Sequence, residues 1–568
     1  MIFMRDRRFY VPSLIEAGRT LLLGTAVTLL AALPTQAAET VRFSFWLFER
    51  SVSVDSLEAF AEDGTVAPDL VPVLRLLSDE QEADFRNALN SSNTLDVVAV
   101  SQSFYDPMGE QALGFLGNVI QTGGRQNGLR AIRAALIQSA AQPEGFTVLD
   151  VLRNFPTESV RLDLEVALRG VRRADGFFRE TDAVIAGIQS LAESAAAAEP
   201  PLELAELPNL RHAGSYEVSQ QTLVMEDVAR DRTYPVDLYL PAIADATPGS
   251  IPLVIISHGF GSQRSDFADV ATYFASYGFA VALPEHVDSN KTLQEAVLAG
   301  RASEFFRASE FVNRPLDISY LLDDLEQRNA SEFQGHLKLD QVAAIGHSFG
   351  GYGVLALGGA VVDLHHARQM CDQTYFLDFL NPALLLQCRV LELESSPEMV
   401  QQLTQDLRDE RVSFVVAVNP VTRVLFGQQG MRQLQVPVVL VGGGYDVAAP
   451  LVPEQVYTFT QIPSEDKYLL LVEGQAHGQA ISEMVNRVLS PSLDEEQLEQ
   501  ELQLIRSNGI AVMVAFLQVY LSDRPDYRPI LQASYMAQLH EPPFEFSLVR
   551  SLSEAQLRQM LQGNFDPN

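Results

Sequence analysis

A serine flanked by glycines is the strongest candidate for chemistry in this sequence. Ser348 lies in the run Gly346-His347-Ser348-Phe349-Gly350-Gly351, so a glycine stands two residues away on either side. A serine hydroxyl is a weak nucleophile until a base takes its proton, and it must project into an uncrowded cleft. A sharp turn between a strand and a helix projects it in this way, and glycines let the backbone pack closely there. The pattern predicts Ser348 as a nucleophile, supported by Gly346 and Gly350.

A second glycine-containing run, His258-Gly259-Phe260-Gly261-Ser262, directly follows an apolar stretch. Acyl transfer places negative charge on the carbonyl oxygen of a substrate, which then needs fixed N–H donors. When a serine lies on a strand-to-helix turn, one donor is the residue after it and the other comes from an earlier loop. We therefore predict the backbone amides of Phe349 and Phe260 as the two donors. The alternative is a glycine turn without such a role. The residues expected to support or brace the loop, rather than to react, are His258, Gly259 and Gly261.

His477 is the predicted general base. It follows the apolar stretch Tyr468–Val472, where the chain order of serine, acid and histidine requires the base. A lone histidine is more often structural, and the sequence contains nine of them. Position along the chain separates His477 from the others, which include His365, His366 and His540.

The acid that orients this histidine is predicted to be Asp446. It comes soon after the apolar stretch Val438–Val441, and a carboxylate there would hold the imidazole and stabilise its charged form. The other position used for such an acid follows the preceding strand, where Asn419 stands, and asparagine cannot supply the charge. Glu473 is a further alternative.

The elements around these residues alternate between strands and helices. Helices are predicted at Asp266–Tyr277, Pro315–Gln327 and Ile510–Leu521, and two antiparallel strands near 216–225 and 234–240 come first. Alternation of this kind indicates an α/β fold with a mostly parallel central sheet covered on both faces. Residues 361–411 interrupt the alternation where a cap over the site would lie. The predicted strands of the parallel part are Ile251–Ser257, Phe279–Leu283, Gln341–Ile345, Val412–Val418, Val438–Val441 and Tyr468–Val472.

The chain has 568 residues, which is too long for one compact core. A strand or two is predicted near 41–54, and the pattern is then mainly helical. Small residues running into Pro200-Pro201 indicate a linker. The predicted domains are a mainly helical one at 39–192, a linker at 193–210, an α/β domain at 211–523 that contains the 361–411 insertion, and a C-terminal extension at 524–568.

Residues 1–37 are predicted to be a signal peptide. Arginines lead an apolar run, Thr20–Leu33, and small residues follow up to Ala37. A membrane anchor is the alternative, but this run is shorter than the roughly 20 residues that span a bilayer. The pattern favours export to the periplasm or the medium, without a stable membrane span. The pair Arg7-Arg8 is compatible with a twin-arginine signal.

The sequence is strongly acidic, with a net charge of −33 at pH 7. Without the signal peptide, 36 basic and 71 acidic residues remain, a net charge of −35. Because phosphate contacts need clustered lysine and arginine, this composition argues against nucleic acid as a partner. It argues for a solvated acidic surface.

Two cysteines, Cys371 and Cys388, are the only ones in the chain. In an exported protein an even number favours a disulfide over a metal site or free thiols. No zinc-protease motif, phosphate-binding P-loop or dinucleotide fingerprint is present, so neither a cofactor nor a metal is expected. Asp363 with His365 and His366 could bind a metal, but a solvated polar turn is favoured.

Residues 211–523 resemble the α/β-hydrolases grouped with platelet-activating-factor acetylhydrolase and with bacterial dienelactone hydrolase-like and cutinase-like esterases. The resemblance implies the α/β-hydrolase fold, a nucleophile at Ser348 and oxyanion roles at Phe349 and Phe260. The acetylhydrolases place their aspartate where Asn419 stands here, so the Asp446 arrangement looks more like the bacterial polyester-hydrolase branch. Residues 39–190 look like an uncharacterised helical domain that precedes such hydrolases in some secreted bacterial proteins. The motifs that carry the resemblance are Ser257–Gly261, Ala275–Phe279, Pro284–His286 and Ile345–Gly351.

Together these features predict an exported serine carboxylic-ester hydrolase, similar to an esterase or lipase, that acts on a small-molecule or lipid ester through an acyl-enzyme. The alternatives are a binding protein on a hydrolase scaffold and a phospholipase similar to the acetylhydrolases. Neutral esters of short to medium acyl chains are expected as substrates in preference to anionic phospholipids. The side chains expected to form an apolar acyl pocket are Phe260, Phe349, Phe376, Phe379 and Leu384 to Leu386.

Overall fold

The computed structural model describes residues 37–46, 48–203, 206–372, 381–405, 407–478, 495–541 and 544–565. The predicted signal peptide, except Ala37, lies outside them, as do Phe376 and Phe379. Among the described residues, no helix combines the length and the apolar character needed to cross a membrane. The chain forms two compact units, one within residues 1–97 and 117–165 and the other within 98–116 and 166–568.

The first unit contains a four-stranded sheet in the order β2-β1-β4-β3. β1 (Thr40–Phe45) and β2 (Phe48–Ser53) form an antiparallel hairpin, and β4 (Ser159–Asp163) lies parallel to β1 and antiparallel to β3 (Ile120–Thr122). The strands near 41–54 were predicted, whereas the short strands β3 and β4 were not. The helices that begin in this unit are α1 (Val54–Asp63), α2 (Val71–Leu74), α3 (Asp79–Asn90), α4 (Val97–Tyr105), α6 (Leu129–Ala140), α7 (Val148–Arg153) and α8 (Leu164–Ala198); α5 is Pro107–Val119.

The second unit is built on a nine-stranded sheet in the order β13-β12-β11-β10-β9-β7-β8-β6-β5. Its six middle strands, β7 to β12, are parallel, and antiparallel strands complete both edges. This sheet confirms the predicted fold class. The strands are β5 (Val218–Asp227), β6 (Arg232–Pro241), β7 (Ile251–Ser257), β8 (Ala280–Pro284), β9 (Leu337–His347), β10 (Val412–Val418), β11 (Val438–Gly443), β12 (Lys467–Glu473) and β13 (Glu545–Val549).

The central strands are apolar along their whole length because both of their faces are buried. All seven residues of β7 are buried. Successive side chains of a strand point to opposite faces, so Leu253 and Ile255 pack into one core and Val254 and Ile256 into another. Strands covered on both faces read as continuous apolar runs, which is the pattern seen in the sequence.

Helices cover both faces of the sheet. The described helices after α8 are α9 (Ala268–Ser276), α10 (Lys291–Leu298), α11 (Glu310–Glu332), α12 (Phe349–Leu357), α13 (Leu364–Asp372), α14 (Ala383–Gln387), α15 (Pro397–Gln405), α16 (Gly427–Met431), α17 (Tyr457–Gln461), α18 (Glu495–Tyr520), α19 (Ala533–Met536) and α20 (Glu554–Leu561).

The predicted domain boundaries differ from the structure. Residues 98–116 and 166–192, expected in the N-terminal domain, group with the second unit. Residues 193–198, expected in the linker, are the last turns of α8, because this stretch is rich in alanine, the best helix former. Residues 524–568, expected as an extension, add the strand β13 to the sheet beside β12. Phe546 and Leu548 alternate along β13 and enter the same core as Val254, so this segment belongs to the second unit.

Candidate active site

Ser348 occupies the turn between β9 and α12 in a backbone conformation that is rare for a residue other than glycine. Its φ is 56° and its ψ is −119°. Such strained residues persist only where the surroundings hold them, and they are common at functional sites. A Cβ atom on Gly346 would lie 2.2 Å from the Gly350 carbonyl oxygen, and one on Gly350 would lie 2.2 Å from the Ser257 carbonyl oxygen. The two glycines are therefore required by the packing of the turn.

The structure brings Ser348, His477 and Asp446 together in one hydrogen-bonded chain. The Nε2 atom of His477 lies 2.8 Å from the Oγ atom of Ser348, and its Nδ1 atom lies 2.7 Å from the Oδ2 atom of Asp446. A carboxylate accepts, so Nδ1 carries the proton and Nε2 is free to accept from the serine hydroxyl. The three side chains come from the carboxyl ends of β9, β12 and β11, which meet at one edge of the parallel sheet.

The carboxylate of Asp446 is buried and fixed by the backbone. Its Oδ1 atom accepts hydrogen bonds from the amides of Ala448 and Ala449, at 2.9 and 2.7 Å. Its other oxygen is thereby directed at His477. A charge held in this orientation can select the histidine tautomer and stabilise an imidazolium.

The two alternative acids have other contacts. The side-chain Nδ2 atom of Asn419 donates to the backbone carbonyl oxygen of His477 at 3.3 Å. Its Oδ1 atom accepts from the backbone amide of Gly443 at 3.0 Å. Asn419 thus connects β10 to the segments that carry Asp446 and His477. The Oε2 atom of Glu473 accepts from Gln189 at 2.5 Å. Burial raises the pKa of Glu473, and so does the nearby carboxylate of Glu545.

His347 is a neighbour of the site that the sequence reasoning did not single out. Its Nε2 atom donates to the backbone carbonyl oxygen of His477 at 2.6 Å. Burial, and then the nearby ring of His477, lower its pKa to about 4, so the imidazole is neutral at pH 7. Its position directly before the predicted nucleophile was the signal available in the sequence.

The loop that follows β7 lies against Ser348. A Cβ atom on Gly259 would lie 3.2 Å from that of Ser348 and 3.1 Å from the Nδ1 atom of His347. In the part of the chain that the structure describes, the backbone N–H groups of Phe260 and Phe349 donate to no protein acceptor.

His258 is a buried, neutral part of this loop. Its Nδ1 atom donates to the Gly259 carbonyl oxygen at 2.8 Å, and its Nε2 atom accepts from the backbone amide of His286 at 3.0 Å. Burial lowers the pKa of His258 well below its usual range. Gly261 has a φ of +72°, which favours glycine, and its amide donates to the carbonyl oxygen of Ser289 at 2.8 Å.

The expectation that the Phe349 ring lines an acyl pocket is wrong. This ring is fully buried and stacks with Tyr352 at a centroid distance of 5.3 Å. Leu384 and Leu386 are also buried in the core. Phe260 is partly exposed and packs edge-to-face on Phe306.

The insertion holds the predicted disulfide, which joins Cys371 to Cys388. Within the described ranges, no cluster of acidic, histidine or cysteine side chains is arranged to hold a metal ion. The Nε2 atom of His366 instead donates to the Arg423 carbonyl oxygen at 3.0 Å.

Two family models match parts of this chain. Residues 37–163 match the family described as "Alpha/beta hydrolase of unknown function (DUF1400)", and residues 217–304 match "Platelet-activating factor acetylhydrolase, isoform II". The second stretch contains the Gly259–Gly261 loop, whereas Ser348, Asp446 and His477 lie outside both. With the nine-stranded, mostly parallel sheet, these matches support an α/β-hydrolase fold and place the chain among proteins similar to the α/β-hydrolase superfamily.

Proposed function

We propose that this protein is an exported serine hydrolase that cleaves carboxylic esters. The observation that carries the proposal is the hydrogen-bonded chain from Ser348 through His477 to Asp446, at 2.8 and 2.7 Å. A nucleophile, a base and an orienting carboxylate in this order form the arrangement that acyl transfer requires.

In the proposed reaction, His477 takes the proton of Ser348 as the serine oxygen attacks the ester carbonyl carbon. The carbonyl oxygen becomes negative and accepts hydrogen bonds from the amides of Phe260 and Phe349. Collapse of this intermediate breaks the bond to the alcohol, which leaves with the proton from His477. Water then attacks the acyl-enzyme by the same route and releases the acid. Asp446 stabilises the imidazolium at both stages.

The proposed substrates are neutral esters of short to medium acyl chains. The net charge of −33 repels anionic head groups. An apolar cavity of about 270 Å³ has His347 and Gly478, the sequence neighbours of Ser348 and His477, in its wall. Apolar side chains such as Phe267 and Ile345 make up most of the remaining wall, which suits an acyl chain.

A phospholipase similar to the acetylhydrolases is the second candidate, and the family match over residues 217–304 favours it. Export is supported by the disulfide between Cys371 and Cys388, since such bonds persist in oxidising compartments. A binding protein without activity would have no need of the complete hydrogen-bonded set around Ser348.

The purified protein tests the proposal with short p-nitrophenyl esters and a fluorophosphonate probe. We expect hydrolysis and labelling by the unaltered protein, and loss of both by several orders of magnitude in Ser348→Ala. A Ser348→Ala variant that keeps full activity would disprove the proposal.

A further inference from the structure

A fully buried arginine lies directly behind the loop that follows β7. Arg314, on α11, has no exposed surface. Its Nη1 atom donates to the carbonyl oxygen of His258 at 2.5 Å, and its Nη2 atom reaches that of Gly259 at 3.4 Å. Its remaining hydrogen bonds go to Ser289 and Glu310. One guanidinium group therefore spans two consecutive carbonyl groups of the loop.

The carbonyl oxygen of Gly259 determines where the Phe260 amide points. In a trans peptide the C=O and N–H groups point in opposite directions. The Gly259 oxygen is held by His258 Nδ1 at 2.8 Å, by the Ser262 amide at 3.4 Å and by Arg314. With the oxygen held towards Arg314, the N–H of Phe260 faces away from the arginine.

Arg314 also touches the second proposed donor residue. Its guanidinium carbon lies 4.7 Å from the ring centroid of Phe349, which is a cation–π contact. Phe349 is the first residue of α12, so packing of its ring fixes the start of the helix where its own N–H projects. The same side chain thus contacts the residues that carry both N–H groups.

We infer that Arg314 helps to position the Phe260 and Phe349 amides for the oxyanion. This inference rests on the proposed esterase function. The guanidinium group does not contact the substrate. It holds the peptide group between Gly259 and Phe260, whose N–H does. Its positive charge also polarises this amide by drawing electron density towards the carbonyl oxygen.

The cost of burying this arginine supports a positioning role. Burial lowers the pKa of Arg314 to about 10, so the group remains charged at pH 7, and burial raises the pKa of Glu310 beside it. Buried ion pairs often contribute little to stability compared with apolar residues of similar size. Five planar donors in a rigid fork suit two neighbouring carbonyl oxygens, whereas a lysine offers a single ammonium group.

Arg314→Lys is the informative variant, because it keeps a positive charge beside Glu310 but cannot span both carbonyl groups. Arg232→Lys is the matched control. Arg232 belongs to the same buried cluster, but its hydrogen bonds go to Asp288, Glu310 and Asp317 rather than to the loop.

Both full-length variants are assayed for kcat and KM on a p-nitrophenyl ester, and for the inhibition constant of a trifluoromethyl ketone. The serine oxygen adds to the ketone carbon, its proton passes to His477, and the carbonyl oxygen becomes an oxyanion. We expect Arg314→Lys to lower kcat by about 10²-fold with KM little changed, since loss of one oxyanion donor costs about that much. The inhibition constant of the ketone should rise by a similar factor. Arg232→Lys should leave kcat and this inhibition constant unchanged.

Unchanged kcat and ketone affinity in Arg314→Lys would overturn the inference, and so would equal losses in Arg232→Lys. If Arg314→Lys does not fold, the double variant Arg314→Gln with Glu310→Gln removes both charges and is judged by the same two constants. Ser348→Ala separates the two proposals. Hydrolysis by Ser348→Ala overturns both, whereas an inactive Ser348→Ala beside a fully active Arg314→Lys overturns only this inference.

Discussion

The imidazole of His347 donates a hydrogen bond of 2.6 Å to the backbone carbonyl oxygen of His477. The residue before the proposed nucleophile therefore holds the backbone of the proposed base. Asn419 donates to the same carbonyl oxygen at 3.3 Å. Two side chains from neighbouring strands thus fix the segment that carries the His477 ring, which limits its movement relative to Ser348.

His347→Leu should lower kcat by about 10-fold, because loss of the donor lets the His477 backbone shift, and small misplacements of a catalytic group are costly. His347→Gln keeps a donor of similar reach and should recover much of the rate. Steady-state kinetics on one p-nitrophenyl ester checks both variants. Equal rates for His347→Leu and the unaltered protein would refute the role.

His347 should also make the protein less stable in acid. Its pKa is about 4 in the folded protein and about 6.5 when unfolded, so between these values only the unfolded chain binds the proton. The stabilisation is present above pH 6.5 and is lost as the pH falls towards 4, by about 3 kcal/mol. Urea unfolding of the unaltered protein and His347→Gln across this range tests it, since glutamine does not titrate. Parallel pH dependences would contradict the expectation.

Asp446→Asn should cost far more activity than Asn419→Ala. Only a carboxylate stabilises the imidazolium, and its replacement by an amide can lower kcat by about 10⁴-fold. Asn419→Ala removes contacts to the backbone of the His477 segment and leaves Asp446 in place, so its effect should be much smaller. The measurement is kcat for each variant at pH 7 to 8. Similar losses in the two variants would argue against Asp446 as the acid.

Much of this site could be predicted from the sequence because its residues follow apolar strands in a fixed order. Ser348, Asp446 and His477 each come soon after a run that had to be a buried strand. Arg314 was not predictable in this way. A helix was expected to begin at Pro315, since proline is favoured in the first turn, whereas α11 begins at Glu310. Phe311 and Arg314 are buried in the core. Their burial stabilises the helical turn ahead of Pro315, which the local sequence does not mark as helical.

The domain boundaries were harder to predict because they depend on distant contacts. The hydrophobic pattern near residue 546 forms a strand only because the edge strand β12 is free to pair with it, and the sequence alone does not show which strand lies at the edge. Likewise, the Phe349 ring was expected in the cleft, because sequence order places the residue beside Ser348. The helix turns that ring into the core, where it packs with other buried side chains.

Reduction of the disulfide between Cys371 and Cys388 should destabilise the insertion more than the site. The bond closes a loop with a sequence separation of 17, and loops of this size gain about 3 kcal/mol in the chain-entropy model. The double variant Cys371→Ser with Cys388→Ser should melt at a lower temperature and keep its kcat at 20 °C or so. Thiol titration of the denatured, unreduced protein provides the control. Two free thiols would contradict the disulfide.

Neutral esters of short to medium chains should be turned over faster than anionic phospholipids. The acidic surface repels anionic vesicles and so lowers the rate on them. Added salt should reduce this loss of rate because it screens the repulsion. Rates on p-nitrophenyl butyrate and on vesicles of an anionic phospholipid are compared at matched concentration and at two ionic strengths. Faster turnover of the anionic lipid would favour the phospholipase alternative.

The strand β13 has a consequence for how the protein tolerates damage. It pairs with β12 along Leu469 to Glu473, the strand that leads to His477. If a protease cleaved before Glu545 and β13 were lost, the N–H and C=O groups of β12 that face β13 would have no partners. An unpaired edge strand readily recruits another chain. Trimming at this end would therefore inactivate the enzyme by self-association, without touching any residue of the site.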